Sequence, residues 1–321
     1  MFSELAKRHL HSKYCPHFSS RFTSDEVEKY NSNYYNCSQM QETKMTNQIR
    51  QIYYAVIAIG IMCLTLFGGS CAMAATKKSV TTNNDHFIVL PNRAKVIDLT
   101  QPLNSSVPTY DGKANEFKYQ ILSTVDKDGY GSGAFFTHEH LGTHIDAPVH
   151  FCPGGTSIDQ IDPSNLLLPA AIIDVQDEVK KNPDYSLTRE KIKEFEKKNT
   201  IPPHAAVLLL TGWSKRYFID GQYRNVDSKG VMRYPGFSLK AAKYLVNDHK
   251  IAALGIDTLS IDNGPSQDFP VHKFVLSHGL FIVENLANLD QLSNNGTVVI
   301  FAPLKIEGGT GSPARVLALV P

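Results

Sequence analysis

Residues 138–151, with the sequence HEHLGTHIDAPVHF, constrain this chain more than any other part of it. Gly142 and Pro148 interrupt the stretch, which disfavours a helix. In an extended chain, side chains two residues apart face the same side. Potential metal ligands therefore share one face, and they are His140, His144, Asp146 and His150.

The spacing of these residues predicts a bend. A strand rises about 3.3 Å per residue, so His144 and Asp146 lie about 7 Å apart at the backbone and can converge on one ion. In a straight strand His140 would be about 13 Å from His144, too far to share an ion at bonds of roughly 2.1 Å. We therefore predict that the chain bends at Gly142-Thr143. Two imidazoles and a carboxylate leave positions open for water, which is typical of a catalytic metal site.

Composition excludes several classes of function. The formal net charge is +1 over 321 residues, so no strong field indicates a nucleic acid partner. Hydrophobic residues make up 42% of the chain, enough for the core of a large domain. Cys152 is the only cysteine after residue 75, so we expect a packed thiol there and neither an internal disulfide nor a thiolate zinc site.

The first 74 residues are expected to lie outside the catalytic domain. Residues 1–44 are polar and lack an apolar period, which is typical of disorder or of a start codon placed too far upstream. Residues 45–74 resemble a signal peptide, with Arg50 as the positive flank, an apolar run over 52–67 and a small-residue site ending at Ala74. We expect cleavage after Ala74 and export to the periplasm or beyond, leaving a domain over 75–321 with no membrane contact. The alternative is an uncleaved membrane anchor, with the domain still outside the cytoplasm.

The remaining sequence predicts a single α/β domain with a mixed, barrel-like sheet. Many apolar runs show little alternation, which indicates strands that are buried on both faces. Thr188 can cap a helix that ends near residue 198, and Ser238 can cap another. The second helix would bury a stripe formed by Leu239, Ala242, Leu245 and Val246. Residues 217–233 are predicted to form a long surface loop. The predicted strands are 86–90, 95–99, 170–175, 206–211, 251–256, 280–284, 297–302 and 315–320.

A second group of potential ligands lies later in the chain. His272 and Glu284 could face the first group and bind a second ion, with Asp146 bridging through its two oxygens. Taken alone, such a pair is more often a local hydrogen bond or a surface pair. Asp257 and Asp262 either orient ligands or are turn residues at strand ends.

The run HLGTHIDAPVHF resembles the signature of the cyclase family of metal-dependent hydrolases, which includes bacterial kynurenine formamidases and isatin hydrolases. The similarity continues through residues 255–264, 269–292 and 305–320. It implies a swivelling β/β/α fold and a homodimer or larger homo-oligomer. It also implies a first ion on His140, His144 and Asp146. A second ion would be held by Asp146, His272 and Glu284. The same resemblance makes His150 the acid/base residue.

The middle and closing segments resemble the isatin hydrolase branch more than the formamidases. We therefore expect an enzyme that opens an amide or lactam C–N bond of a small aromatic substrate, with one or two Mn²⁺ or Zn²⁺ ions activating water. His150 would carry the proton to the leaving nitrogen. Trp213 either stacks on the substrate or packs in the core, and Ser312 either contacts the substrate or belongs to a glycine-rich turn. The alternatives are hydrolysis of N-formylkynurenine and an exported metal- or ligand-binding protein without turnover.

Overall fold

The computed structural model describes residues 94–113, 116–219 and 221–321. The predicted strand 86–90 and the predicted signal peptide lie outside these residues. The strands within them are β1 (Lys95–Asp98), β2 (Lys118–Ser123), β3 (Ser132–Phe136), β4 (His144–Asp146), β5 (Leu167–Asp174), β6 (Ser186–Leu187), β7 (Ala206–Leu210), β8 (Gly236–Phe237), β9 (Ala253–Ile256), β10 (Phe281–Glu284), β11 (Val298–Pro303) and β12 (Gly311–Val320). The helices are α1 (Val125–Asp128), α2 (Gln176–Lys181), α3 (Arg189–Glu196), α4 (Leu239–His249) and α5 (Pro270–Ser277).

Seven strands close into a barrel in the order β12-β11-β5-β7-β9-β10-β4, because β4 pairs with β12 as well as with β10. Strands β5, β7, β9 and β10 run parallel, and the other pairings in the ring are antiparallel. Strand β1 lies outside the ring and pairs with the end of β12. The predicted mixed, barrel-like α/β domain is confirmed.

The central strands are buried on both faces, as their unbroken apolar sequences predict. In β7, Val207 and Leu209 pack in one core with the helices, whereas Ala206, Leu208 and Leu210 pack in a second core. The first core receives the buried side of α4, including Ala242 and Leu245. Because both faces are buried, these strands can be predicted from unbroken apolar runs, without an alternation of polar and apolar residues.

Both predicted helix starts are confirmed. The Thr188 hydroxyl accepts a hydrogen bond from the Lys191 amide at 3.1 Å, and the Ser238 hydroxyl accepts one from the Ala241 amide at 3.1 Å. Each bond satisfies an amide in the first turn, which has no partner within the helix. Within the described residues, no helix combines the length and apolar character needed to cross a bilayer.

Four parts of the fold differ from the sequence-based expectations. The hairpin β2-β3 and helix α5 were not predicted. The predicted loop over 217–233 is largely irregular, but Tyr217 and Tyr223 are buried in the helix-side core and anchor it. The chain is a strand only over His144–Asp146, and His150 lies on a 3₁₀ turn (Pro148–His150) rather than in a continued strand.

Candidate metal centre and active site

Strand β4 positions the centre of the site through its two neighbours in the barrel. His144 is paired with Glu284 of β10, and Asp146 lies opposite Gly311 of β12. Gly142 has a positive φ of 66°, and this bend returns the His140 ring to Asp146. Nδ1 of His140 lies 2.6 Å from Oδ1 of Asp146. The bend occurs where the spacing of the ligands requires it.

Helix α5 supplies His272, and Asp262 fixes both the helix start and the imidazole. Asp262 accepts hydrogen bonds from the amides of Val271 at 3.0 Å and His272 at 3.1 Å. The same carboxylate accepts a hydrogen bond from Nδ1 of His272 at 2.8 Å. Of the two alternatives for Asp262, the structure supports the orienting one, whereas Asp257 contacts none of these side chains through its carboxylate.

Each of three imidazoles directs one nitrogen away from the centre, towards an acceptor. Nδ1 of His144 donates to the Gly142 carbonyl at 2.8 Å, and Nδ1 of His272 donates to Asp262. Nε2 of His140 lies 2.9 Å from the Thr310 hydroxyl. That hydroxyl donates its own proton to Glu139, so His140 donates to Thr310. These partners leave the inward nitrogen of each neutral ring without a proton.

The inward nitrogens face carboxylate oxygens. Nε2 of His144 lies 3.2 Å from Oδ1 of Asp146 and 3.5 Å from Oε2 of Glu284. Nε2 of His272 lies 3.3 Å from Oδ2 of Asp146 and 3.1 Å from Oε1 of Glu284. Oδ2 of Asp146 is buried and accepts no hydrogen bond. Lone pairs and carboxylates at these separations repel one another unless positive charge lies among them, so the donor set fits a divalent cation.

The pKa shifts of the site residues also indicate that the site favours positive charge. Burial lowers the pKa of His144, but Asp146 and Glu284 outweigh it and raise that pKa to about 9. Burial also opposes protonation of His272, yet the neighbouring carboxylates of Asp146, Asp262 and Glu284 raise its pKa well above the ordinary value. The pKa of Asp146, which burial alone would raise, is held well below its ordinary value by the imidazoles. The centre therefore stabilises positive charge.

His150 differs from the other histidines of the site. Its ring stacks on His140 with centroids 3.9 Å apart, and burial lowers its pKa to about 4. Two sets of side chains place ligand atoms within 4.8 Å of one another, and Asp146 belongs to both. The first set is His140, Asp146 and His150, and the second is His144, Asp146 and Glu284.

A cavity of about 310 Å³ opens above these residues. All six of the histidines and carboxylates named in the sequence analysis as ligands or acid/base line it, and its remaining wall is largely apolar. Tyr110, Phe151, Leu259 and Phe269 supply that wall. Phe269 has a positive φ of 49°, a conformation that non-glycine residues adopt mainly at constrained sites. The volume is at the lower end of the range for small-molecule sites.

The chain is similar to known proteins in both sequence and structure. A family model described as "Putative cyclase" matches residues 97–263. An isatin hydrolase from Roseibium aggregatum is 34% identical over 250 residues, which are 73% of this chain and 94% of that protein. The solved structure of isatin hydrolase A from Ralstonia solanacearum aligns with a TM-score of 0.67 and 35% identity, covering 71% of this chain and 92% of the other. A kynurenine formamidase from Bacillus cytotoxicus is 28% identical over 222 residues, which are 69% of this chain and 95% of that protein.

The protein belongs to the cyclase family. In this cyclase-family chain, sequence reasoning missed Glu139 and Thr310. Glu139 accepts hydrogen bonds from both the amide and the hydroxyl of Thr310, and Thr310 contacts His140. The glycine-rich segment contains two hydroxyl side chains, and the sequence analysis named Ser312 rather than Thr310.

The two substrate contacts expected from sequence are not among the residues that line the cavity. Ser312 is fully buried, where its hydroxyl donates to the Pro313 carbonyl and accepts from the Leu304 amide. Trp213 is buried in the helix-side core, and its indole donates to the Tyr223 carbonyl at 2.8 Å. Of its two readings, Trp213 fits packing. Tyr110, Phe151 and Phe269 provide the aromatic surface of the cavity.

Proposed function

We propose that this protein is a metal-dependent hydrolase that opens the C–N bond of a small aromatic lactam of the isatin type. The observation that carries the proposal is Asp146, whose two oxygens lie among the inward-facing nitrogens of His140, His144 and His272. The relatives named isatin hydrolase support the substrate class, and the aromatic wall of the 310 Å³ cavity suits a planar ring.

His140, His144 and Asp146 would hold a first divalent ion, and Asp146, His272 and Glu284 would hold a second. Mn²⁺ and Zn²⁺ both suit imidazole and carboxylate ligands. When bound, the ion supplies water of lowered pKa and polarises the carbonyl that is attacked.

The protein's own side chains orient the substrate and move the proton. Phe151 and Phe269 form the apolar wall against which an aromatic ring can lie, and this wall excludes water from the reacting amide. His150 accepts the proton of the attacking water and returns it to the nitrogen as the C–N bond breaks. The reaction adds one water across the bond, so the lactam ring opens to a single product that carries both a carboxylate and a free amine. Asp262 holds His272 throughout, and Thr310 holds His140.

A pair of variants tests these roles. His144→Ala should lose metal and turnover together, because it removes a buried nitrogen at the centre of the site. His150→Ala should retain metal while turnover falls by about 10²–10⁴-fold, the usual contribution of a proton-transferring side chain. Metal content by elemental analysis and isatin opening by absorbance give the two readouts. Full turnover in His150→Ala would contradict the assignment of His150 as the acid/base residue.

The second candidate is hydrolysis of N-formylkynurenine, which the kynurenine formamidase relative supports. The metal-loaded full chain would be offered isatin and N-formylkynurenine, each with and without a chelator. Faster opening of isatin, abolished by the chelator, supports the first candidate. A preference for N-formylkynurenine supports the second, and a metal-loaded protein that is inert with both overturns both.

We also propose that the protein acts outside the cytoplasm as a homodimer or a larger homo-oligomer. The charged flank, apolar run and small-residue site over residues 45–74 support export, with cleavage after Ala74. Mass spectrometry of protein from the exported fraction should give a chain that begins at Ala75. A membrane-bound product that retains residues 45–74 would instead establish the anchor.

A further inference from the structure

The aromatic side chains of the candidate active site form a continuous row that ends at Tyr110. The His150 and Phe151 rings have centroids 4.7 Å apart, and Phe151 lies 5.5 Å from Phe269. The Phe269 ring in turn lies 6.0 Å from that of Tyr110, which is 42% exposed. Aromatic rings attract one another at centroid separations of about 4.5–7 Å. The row therefore leads from the proposed acid/base residue to the outer edge of the cavity.

The Tyr110 side chain extends from this edge towards the candidate metal site. Burial raises the pKa of its hydroxyl, and the negative charges of Glu284 and Asp262 add to that shift. Glu284 is a proposed metal ligand, and Asp262 accepts a hydrogen bond from His272. The influence of both carboxylates shows that the phenol faces the site rather than the solvent.

The backbone of Tyr110 lies in a tight turn outside the helices and strands of the described chain. The Gly112 amide donates to the Thr109 carbonyl at 3.2 Å, and the Thr109 hydroxyl donates to the Lys113 carbonyl at 2.8 Å. Gly112 has a positive φ of 76°, which glycine adopts at no steric cost. These bonds close the turn on itself, so its position in the fold depends on a further contact.

Arg224 supplies that contact. Its Nε and Nη2 atoms both donate to the Tyr110 carbonyl, at 3.2 Å and 3.0 Å. Arg224 follows Tyr223, which is buried and whose hydroxyl donates to Asn285 at 2.8 Å. Gly112 leaves room for the guanidinium, because a Cβ atom there would lie 2.8 Å from Cζ of Arg224. A planar guanidinium is pre-organised for two bonds of this kind, so it fixes the turn relative to the core.

We propose that Tyr110 contacts the substrate and that Arg224 is a positioning residue, which holds the Tyr110 ring where the aromatic part of the substrate packs. Arg224 acts through Tyr110, because two of its donors are already bound to the Tyr110 carbonyl. The inference rests on the proposed function for the identity of the substrate. The contact between Arg224 and the turn can be tested without any substrate.

Steady-state kinetics of the metal-loaded full chain with isatin test the substrate contact. Tyr110→Leu removes the ring but keeps an apolar side chain, and it should raise KM by about 2–10-fold, the usual value of an aromatic contact. Arg224→Ala should raise KM by a similar factor. Arg224→Lys should recover only part of the loss, because an ammonium group lacks the planar fork. In all three variants kcat and metal content should stay close to those of the wild type, as expected when only uniform binding is lost.

Lys229→Ala is the matched control. Lys229 is an exposed basic residue of the same segment, and its described hydrogen bond is made by its backbone amide to Asp227. This variant should leave KM unchanged. In the Tyr110→Leu background, Arg224→Ala should add nothing further to KM, because the ring that it positions is absent. Additive effects of the two substitutions, or a fall in kcat at constant KM, would overturn the role of Arg224.

Hydrogen–deuterium exchange tests the positioning of the turn directly. Arg224→Ala should accelerate exchange in a peptide covering residues 105–113 by about tenfold or more, because the turn loses its anchor and opens locally. A peptide covering β4 should exchange as in the wild type. Unchanged exchange over 105–113 would overturn the proposal. If the wild type hydrolyses isatin and Tyr110→Leu leaves KM unaltered, the substrate contact alone is wrong. A wild type inert with isatin would overturn the proposed function and the contact together, whereas faster exchange in Arg224→Ala would still establish the positioning of the turn.

Discussion

The least obvious residue of the site is Thr310, because it connects His140 with Glu139 across a long separation in the sequence. His140 donates to its hydroxyl, which in turn donates to Glu139. Partners of this kind fix the tautomer and the orientation of a metal-binding imidazole. We infer that Thr310 is a positioning residue for His140.

Thr310→Val keeps the shape of the side chain and removes the hydroxyl. We expect the affinity for metal to fall by about 10–100-fold, the usual effect of losing such a partner. Competition with a chromophoric chelator measures this affinity without requiring turnover. Thr310→Ser, which retains the hydroxyl, should restore most of the affinity. If the Thr310→Val and Thr310→Ser variants bind metal equally well, the hydroxyl has no role in positioning His140.

Asp257 affects the stability of the fold rather than the chemistry of the candidate active site. Its carboxylate is fully buried, and Oδ2 has no hydrogen-bond partner. Burial raises its pKa from 3.8 to about 6, although hydrogen bonds from Thr211 oppose the shift. Above its ordinary pKa the unfolded chain releases this proton while the folded protein retains it. Stability from this group is therefore complete below about pH 4 and is lost as the pH rises through about 6.

Asp257→Asn removes this dependence on pH. Relative to the variant, the wild type should lose about 2 kcal/mol of free energy of unfolding between pH 4 and pH 7. Urea denaturation of both proteins across that range provides the measurement, and the variant accounts for all other titrating groups. Parallel curves for the two proteins would show that Asp257 titrates alike in the folded and unfolded states.

Among the elements, helix α4 shows how a local signal becomes tertiary structure. Ser238 bonds the Ala241 amide, and the helix then buries Ala242 and Leu245 against the sheet. We expect Ser238→Ala to lower the free energy of unfolding by about 1 kcal/mol, because an amide of the first turn loses its partner. Lys240→Ala, at an exposed position of the same helix, is the control and should have little effect. Chemical denaturation measures both, and an equal effect of the two substitutions would exclude a specific role of the cap.

Helices and strands could be predicted from the sequence where nearby residues determine them. Thr188 and Ser238 start their helices through bonds three residues away, and β7 is apolar throughout because both its faces are buried. The hairpin β2-β3 lacks this signal, since none of its residues is buried within the chain. Helix α5 was missed because His272, a polar residue, occupies its buried side.

At the scale of the whole molecule, closure of the barrel and assembly of the site are the same event. Strand β4 is only three residues long, and its pairing with β12 joins segments about 165 residues apart. Parity within one short stretch predicted that His144 and Asp146 converge. Spacing could not predict Thr310 or Glu139, because their contacts follow from this closure. Recognition of the family motif identified His272 and Glu284, whereas the sequence around each of them gave little indication.

Gly311 lies at the pairing of β12 with β4 and beside the His140 ring. A substitution there tests whether closure of the barrel and assembly of the candidate metal site depend on each other. A Cβ atom there would lie 2.5 Å from Cε1 of His140 and 2.6 Å from the Ile145 carbonyl oxygen. Gly311→Ala must therefore displace the His140 ring or separate β12 from β4. We expect the free energy of unfolding to fall by about 1–3 kcal/mol, the usual cost of overpacking, and metal affinity to fall with it. Gly131→Ala is the matched control, because its nearest neighbour would be 3.9 Å away. Denaturation and chelator competition measure the two effects, and a loss of stability with unchanged metal affinity would separate closure of the barrel from assembly of the site.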